Sequence, residues 1–420
     1  MKSRIHHIAI ALLSLCVALP LACDTEQNID PKNTFLRYYG TRGNQVAVDM
    51  ALGADGSIYL LGNSGLAVYL VKADAEGNSL WENTFLDAEA KDIEIGSDGN
   101  LLITGTITGA DRDVFILRVN AADGAAIGQP AVYGYSGFDE DAYSITEISN
   151  GYIVSGATTR VLATTGADQA DGFTFRFNAD LSPYGVTWTE RYGPGSFDVI
   201  VKTIQAGPGL FYIFGFSNQS DNLDNVDDYN FFAFNANDFG VSNSLKFILG
   251  EPGSNERLTS VVPIPVQSGG GYLLSGVREG ANGNFDVYAM RIRNTIETSA
   301  SVEQIRQGNP GTLTNGLTND SEVKVYGFAS GLFGFYILAT RNNSGNGDIF
   351  LNRVTNDLQP SGDDWGQAEG YSFGGIGNDQ PAAVLETADG AVLVLGTMVL
   401  GDVNGQQKMV LMKLDRRGRL

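Results

Sequence analysis

Polar and apolar residues alternate along this chain in short blocks, and one kind of block recurs seven times. Each is a run of four or five apolar residues that ends in a small residue. The endings are Gly62, Gly105, Gly156, Gly215, Gly276, Ala339 and Gly396. Their mean spacing is about 56 residues. A short apolar run bounded by turn residues predicts a buried strand rather than a helix.

Further strands flank each of these runs. A Gly-containing turn precedes the run, as in "GADGS" at 53–57, and supplies the positive φ that a tight hairpin needs. Another strand precedes the turn. After the run comes a polar loop and then a third strand with an acid, an aromatic residue two places on and a basic residue five places on.

The clearest instances of this third strand begin at Asp113, Asp171, Asp286 and Asp348, with Arg118, Arg176, Arg291 and Arg353 in the basic place. The fourth unit is predicted to keep Asp228 with Ala233 in the basic place, and the first and last units keep only Lys72 and Lys413. A fourth strand follows, often opening with Trp81, Trp188 or Trp365. We expect the recurring acids, Asp113, Asp171, Asp228, Asp286 and Asp348, to cap turns, and the three Trp to pack between units rather than to bind sugars.

Seven units of four strands without a helical period predict an all-β fold, a seven-bladed β-propeller of four-stranded blades. The units carry a Trp, a "YG" or "FGG" ending and a strand such as "GYIVSG" at 151–156. In these features, residues 35–420 resemble bacterial exported propeller-repeat proteins. The resemblance implies the fold but no single activity, because such propellers host many activities.

The last unit stops after its third strand, Lys408–Leu414, whereas Phe35–Tyr39 near the other end has the signature of a fourth strand. We predict that these two segments pair and close the ring. An open ring would leave two exposed sheet edges, which proteins avoid.

The N-terminal residues have the features of an export signal. Lys2 and Arg4 precede an apolar run, Ile8–Leu21, which ends in "LPLAC" at Cys23. This resembles a bacterial lipoprotein signal, and it implies a signal peptide at 1–22, lipidation of Cys23, a polar tether at 23–34 and a propeller domain at 35–420. The implied location is the bacterial cell envelope, anchored by lipid to the outer membrane. The alternative is an ordinary secretory signal cut nearby.

Composition excludes several kinds of chemistry. His6, His7, Cys16 and Cys23 are the chain's only histidines and cysteines, so residues 24–420 carry no imidazole or thiol for catalysis, disulfides or His/Cys metal sites. The net charge is −21, which argues against nucleic acid as a partner. It suits a cationic partner or calcium, although an acidic surface that keeps an exported protein soluble explains it as well.

Residues that depart from the repeat are the better functional candidates. They lie in the entry to the third unit at 134–141, in loops predicted at Ala157–Asp171 and Phe216–Asp228, and in the entry to the sixth unit at 308–322. All should project from the face around the channel mouth. The candidate partner-binding residues are Tyr135, Phe138, Arg160, Asn218, Gln219 and Asp221. Calcium is the one cofactor that the sequence leaves open, through Asp221, Asp224 and Asp227, and a solvated acidic loop is the alternative.

These features favour a lipid-anchored binding or scaffold module of the cell envelope that presents loops to a protein or glycan. The alternative is a glycan-processing enzyme, a hydrolase or lyase, that works without His through a carboxylate pair. Asp139, Asp141 and Asp198 are candidates for such a pair. A purely structural envelope component is a third interpretation.

Replacing Cys23 by Ser tests the anchor. We expect Cys23→Ser to move the protein from the membrane fraction to the soluble fraction, because stable anchoring needs the acyl chains. Fractionation of cells followed by immunoblotting measures this. A variant that stays with the membranes would contradict lipidation at Cys23.

Overall fold

Antiparallel sheets of four strands each, set as blades around a central channel, form this protein. The computed structural model describes residues 34–420 except 161–169, 186–189, 193–196, 219–227, 242–246, 251–253, 267–268, 280–284, 293–301, 307–322, 328–333, 344–345, 360, 362–364, 366–369 and 402–404. Over these residues the chain is all-β, with seven sheets. No helix among them is long and apolar enough to cross a bilayer.

The strands follow the chain blade by blade. Blade one contains β2 (Gln45–Leu52), β3 (Ile58–Ser64), β4 (Ala67–Ala73) and β5 (Ser79–Asp87). Blade two contains β6 (Glu89–Ile95), β7 (Leu101–Thr108), β8 (Arg112–Val119) and β9 (Ala131–Tyr133). Blade three contains β10 (Glu140–Ile148), β11 (Gly151–Thr158), β12 (Asp171–Asn178) and β13 (Glu190–Tyr192). Blade four contains β14 (Asp198–Gly207), β15 (Leu210–Ser217), β16 (Asn230–Ala236) and β17 (Phe247–Leu249).

Blade five contains β18 (Glu256–Pro263), β19 (Tyr272–Glu279), β20 (Phe285–Ile292) and β21 (Val302–Arg306). Blade six contains β22 (Val323–Gly327), β23 (Gly334–Asn343), β24 (Asn346–Thr355) and β25 (Tyr371–Phe373). Blade seven contains β26 (Gln380–Glu386), β27 (Val392–Leu400) and β28 (Gln406–Leu414), and its fourth strand is β1 (Phe35–Tyr39). The predicted seven-bladed propeller is therefore confirmed.

The predicted closure of the ring is also confirmed. Strand β1 lies antiparallel to β28, with Phe35 opposite Lys413 and Tyr39 opposite Met409. The Tyr39 hydroxyl, which is buried, donates a hydrogen bond of 2.7 Å to the Gly77 carbonyl oxygen of blade one. Tyr39 also belongs to an apolar cluster that spans blades seven and one. The seam is thus held by backbone pairing and by a shared core.

Two faces of the ring follow from the antiparallel order. The loops that join consecutive blades and those between second and third strands lie on one face, which we call the mouth face. The hairpin turns between first and second strands, and between third and fourth strands, lie on the other, which we call the turn face. Strand β1 begins on the turn face, because Phe35 pairs with the end of β28 that leads into the turn at Asp415.

On the turn face, the recurring basic residue of the third strand ties blades one, three, five and seven to the blade that follows. It donates a hydrogen bond to a carbonyl oxygen in the following blade's turn between third and fourth strands. The pairs are Lys72 to Ala121 at 3.0 Å, Arg176 to Asp238 at 2.8 Å, Arg291 to Asn356 at 3.2 Å and Lys413 to Ala75 at 3.2 Å. Lys413 makes this contact across the seam, so closure repeats the ordinary contact between blades.

The predicted role of the Trp residues holds for the two that the structure describes. A Cβ on Gly124 would clash with the Trp81 ring of the preceding blade, and one on Gly418 would clash with the Trp365 ring. Trp365 is fully buried. Phe35 takes the same place at the seam, where its ring lies against Gly77. These aromatic rings therefore pack between blades.

One prediction about the recurring acids is wrong, and it concerns the register of blade four. In blade four, Gly215 pairs with Phe232, as Gly105 pairs with Phe115 in blade two. Asn230 therefore occupies the place of Asp113, and Asp228 precedes the strand.

Asp228 does accept a hydrogen bond of 3.1 Å from Ser254 N–H in the loop that enters blade five, but the acids within strands do not lie in turns. Asp113 and Asp171 lie in strands, and other residues such as Asp74 accept the hydrogen bonds of the turns. The sequence pattern located the acids but not the register that decides what they contact.

Lys408 provides a test of the seam. Its buried ammonium group donates to the carbonyl oxygens of Thr41 and Gly43 at 2.6 and 2.9 Å and to Gln45 Oε1 at 2.7 Å. We expect Lys408→Met to lower the free energy of unfolding by about 3 kcal/mol, since it leaves these acceptors unpaired. Urea denaturation measures this loss.

The matched control is Lys413→Met, on the same strand. This lysine makes one exposed hydrogen bond, so the loss should stay near 1 kcal/mol or less. Equal losses in the two variants would contradict a special role for Lys408 at the seam.

Candidate functional site

The central channel is shaped by a β-bulge that recurs in the first strand of the blades. In blade three, for example, the register shifts between Ala142 and Ser144. A bulge re-aims the extra residue, and here it turns that side chain into the channel. The residues at this position are Val48, Lys91, Tyr143, Val201, Thr259 and Ala382. They line a cavity of about 480 Å³.

The two halves of the channel differ in chemistry. The first strands of blades one to four contribute Asp49, Glu89, Lys91, Asp92 and Lys202. The first strands of blades five and seven contribute apolar and small polar side chains, such as Val261 and Pro381. Among the described side chains, which do not include those of Val323–Gly327, the channel therefore has a charged side and a neutral side.

On the charged side, Lys202 joins three blades. Its Nζ donates to Glu94 Oε1 at 2.9 Å, to the Ile145 carbonyl oxygen at 3.0 Å and to Asp92 Oδ2 at 3.4 Å. Asp92 Oδ2 also accepts a hydrogen bond of 2.8 Å from the Ile145 backbone N–H. Blades two, three and four are thus tied at one point.

The protonation states at this point follow from the same contacts. Burial lowers the pKa of Lys202, but the carboxylates of Asp92 and Glu94 outweigh it and raise that pKa well above its usual range. Burial raises the pKa of Glu94, and Lys202 opposes this. The lysine stays charged, and its cationic group is committed to holding the blades together.

Three of the predicted partner-binding residues meet on the mouth face. The Arg160 guanidinium lies 4.0 Å from the centre of the Tyr135 ring. Phe138 is 38% exposed, and its backbone N–H donates a hydrogen bond of 3.0 Å to the Tyr135 carbonyl oxygen. Two loops of different origin therefore form one surface, which we call the blade-three patch (Tyr135, Phe138 and Arg160).

The other predicted site residues have different outcomes. Asn218 does not face outward: its Oδ1 accepts a hydrogen bond of 2.5 Å from Phe197 N–H, and its own N–H donates to the Phe197 carbonyl oxygen at 3.1 Å. Thr159 makes the same reciprocal contact with Asp139, so Asn218 belongs to a repeated contact between loops. The remaining predicted site residues, Cys23, Gln219, Asp221, Asp224 and Asp227, lie outside the described residues.

No group of three side chains suited to a metal ion occurs among the described residues. The predicted loop at Ala157–Asp171 is also shorter than expected. Ala157 and Thr158 belong to β11, and Asp171 begins β12.

Beneath the blade-three patch lies a buried carboxyl group that the sequence did not single out. Glu140 is fully buried and accepts hydrogen bonds from Tyr135 N–H at 2.9 Å and from the Thr158 hydroxyl at 2.5 Å. A Cβ on Gly134 would clash with carboxyl oxygens of both Glu140 and Asp113. Burial chiefly, and the acids Asp113 and Asp111, raise the pKa of Glu140 to about 7.

This carboxyl pair recurs between other blades. Asp348 and Asp379 flank Gly374 in the same way. At the seam, Lys408 and Gln45 replace the two acids and form a hydrogen bond of 2.7 Å. The recurring acid of the third strand is thus part of the contact between blades on the mouth face.

The candidate carboxylates of the alternative enzyme are placed differently from one another. Asp139 Oδ1 accepts a hydrogen bond of 2.9 Å from Arg112 N–H, and Asp141 forms an ion pair with the Arg112 side chain. Asp198 is fully buried at the start of β14. The structure does not gather these three into one cleft.

Two channel residues that the sequence analysis missed, Tyr143 and Lys202, differ in the signal they left in the sequence. Tyr143 enters the channel because of the bulge, and an extra residue in one strand leaves no mark on the apolar pattern. Lys202 did carry a signal, since it interrupts the apolar run "DVIVKTI" at 198–204. A lysine in a buried strand implies a paired charge.

Comparison with known proteins yields likeness of fold alone. No protein-family model and no curated protein matches the sequence. Among solved structures, the WD40 β-propeller domain of Doa1 aligns with TM-score 0.47 at 9% identity, covering 91% of this chain and 97% of that chain. YCF48 from Cyanidioschyzon merolae aligns with TM-score 0.47 at 11% identity, covering 90% and 98%.

A catalytically inactive virginiamycin B lyase from Staphylococcus aureus with quinupristin aligns with TM-score 0.46 at 12% identity, covering 91% and 99%. At such identities these structures are similar to this chain as propellers, and their activities do not carry over to it.

The raised pKa of Glu140 predicts a pH dependence of stability. The folded-state pKa of about 7 lies above the usual 4.5, so folding favours the neutral acid. The stabilisation is complete below about pH 4.5 and is lost as the pH rises through 7. In the wild type this fall in the free energy of unfolding should reach up to about 2 kcal/mol. We expect Glu140→Gln to abolish it.

Urea denaturation at about pH 5 and about pH 8 measures the effect, which should be smaller in the variant than in the wild type. Asp98→Asn is the control. Hydrogen bonds from Asn100 lower the pKa of Asp98, so the contribution of Asp98 to the free energy of unfolding should be the same at these two pH values. An unchanged pH dependence in Glu140→Gln would refute the role of Glu140.

Proposed function

We propose that this protein is a lipid-anchored binding module of the bacterial cell envelope that presents its mouth face to a partner protein. The observation that carries the proposal is the blade-three patch, where an aromatic ring, an arginine and an exposed phenylalanine from two loops form one surface. Aromatic residues and arginine are the side chains most often responsible for binding energy at interfaces.

Several contacts hold this surface in place before any partner arrives. The Tyr135 ring packs edge-on against Phe175 at 5.6 Å, so its loop is fixed to the core of blade three. Gly137 N–H donates a hydrogen bond of 2.5 Å to Asp111, which ties the tip of the loop to blade two. A preorganised surface loses less conformational entropy on binding.

Charge around the patch suggests the partner's chemistry. Asp111, Asp139 and Asp141 border it, and the whole chain is strongly acidic. A partner with an apolar or aromatic side chain for Phe138 and basic groups around it would match in shape and charge. Complementary charge also raises the rate of association.

Substitution at the patch tests this function. We expect Phe138→Ser combined with Arg160→Ala to weaken capture of the envelope partner at least tenfold, because hot-spot residues of these types each contribute about 2 kcal/mol. Both side chains lie on loops, so the ring should stay folded. Quantitative pull-down from solubilised membranes measures the loss.

The matched control is Phe239→Ser, an equally apolar change at a residue that is 61% exposed on the turn face. It should leave capture unchanged. Equal capture by the wild type and by the patch variant, or a loss confined to Phe239→Ser, would refute the proposed surface. Capture that survives protease treatment of the extract but not glycosidase treatment would assign the partner to glycans.

A further inference from the structure

We propose that the third-to-fourth-strand turn of blade seven, Asp415–Arg419, is a docking surface for the anionic headgroups of the membrane that holds the protein. We call this segment the basic turn. The proposal extends the proposed function, because it names the face that meets the lipid and leaves the mouth face free.

The basic turn has the same backbone as its counterparts but the opposite charge. In blades one and seven, the first N–H of the turn bonds to the fifth carbonyl oxygen, and the fourth N–H bonds to the first carbonyl oxygen. The turns of blades three, four and six share these bonds. The third residue of the turn is Glu76, Asp180, Phe239 and Asp357 in blades one, three, four and six, and Arg417 in blade seven. Only the side chains differ, so the fold does not require the arginines.

The arginines of this turn are exposed. Arg416, Arg417 and Arg419 are exposed, and Arg37 on the adjacent strand β1 is exposed as well. Arg419 forms an ion pair of 2.9 Å with Asp415, and Arg416 Nε donates to the Asp389 carbonyl oxygen at 2.7 Å. These contacts orient the cations at the rim and leave further guanidinium N–H groups for phosphate.

Acids also face this surface and must be counted. Asp415 forms an ion pair with Arg419. Asp389 accepts a hydrogen bond from the Thr387 hydroxyl and lies near Lys413. Asp74 lies across the seam near Arg37. Glu76, which is exposed next to the Ala75 contacted by Lys413, is a fourth acid. Lys413 and the four arginines, Arg37, Arg416, Arg417 and Arg419, still outnumber these four carboxylates. The rim is therefore basic in a protein whose other turns carry acids.

The position of β1 argues that the occupant is a membrane. Strand β1 begins at Phe35, on the turn face and beside the basic turn. A tether from Cys23 would have a reach of about 35 Å, which is too slack to choose a face by itself. A basic surface beside the point where the tether joins the ring would determine which face meets the membrane. One lipid signal combined with a basic patch also holds a protein more firmly than either alone.

The net charge of −21 does not forbid this contact. Fields decay over about 10 Å at 0.1 M salt, so a headgroup layer at the basic turn experiences the nearby arginines and little of the distant acids. Each arginine near an anionic surface contributes measurably to binding.

The test uses the mature chain from Asp24 onward without lipid, since Thr34–Leu420 closes on itself as one compact unit. Vesicles of phosphatidylglycerol and of phosphatidylcholine are the probes, and flotation gives the bound fraction. We expect binding to phosphatidylglycerol only, a loss when salt is raised, and at least a tenfold drop for Arg416→Glu with Arg417→Glu.

The matched control is Arg42→Glu, an exposed arginine on the mouth face, which should bind as the wild type does. Equal binding to both lipids, no binding to phosphatidylglycerol, or an equal loss in Arg42→Glu would overturn the proposal. None of these results bears on partner capture by the blade-three patch, which the Phe138 and Arg160 variant tests separately.

Discussion

Closure of the ring by β1 and β28 is the constraint on which the rest of this structure depends. A blade buries its faces only against its two neighbours, so a ring with one gap would expose two blades at once. The chain avoids this by building blade seven from both of its ends. Three kinds of contact that join other blades then occur at the seam as well. They are an aromatic ring packed against a turn, a lysine that donates to a turn carbonyl oxygen, and a polar pair on the mouth face.

The seam differs in charge from the junctions that bring two acids together. At two other junctions the mouth-face contact brings two acids together, Asp113 with Glu140 and Asp348 with Asp379, and burial raises the pKa of Glu140, so folding favours its neutral form. At the seam Lys408 and Gln45 take these places. The junction that depends on two distant segments meeting thus places a lysine and an amide where those junctions hold two carboxyl groups.

The fold could be predicted from the sequence because the repeat shows in the regular spacing of its apolar runs. Seven apolar runs and one isolated fourth-strand signature determine the number of blades and the way in which the ring closes. The site was less predictable, because contacts depend on register. Asp228 matched the motif, but pairing places Asn230 there, and the bulge that turns Tyr143 into the channel changes no apolar residue. Tyr135, Phe138 and Arg160 were chosen as candidates because they lie where the repeat is broken, and their role in binding stays a prediction.

Breaks in a repeat are informative when the backbone is unchanged. The basic turn keeps the hydrogen bonds of its counterparts and changes only the side chains, so the change cannot be a requirement of folding. The blade-three patch lies on the opposite face, three blades from the closing blade in one direction and four in the other. If the rim at the basic turn rests on headgroups, the mouth loops of blade three lie at the far side of the ring from the bilayer. One orientation then serves both surfaces, since lipid contact at one rim raises the other toward a partner.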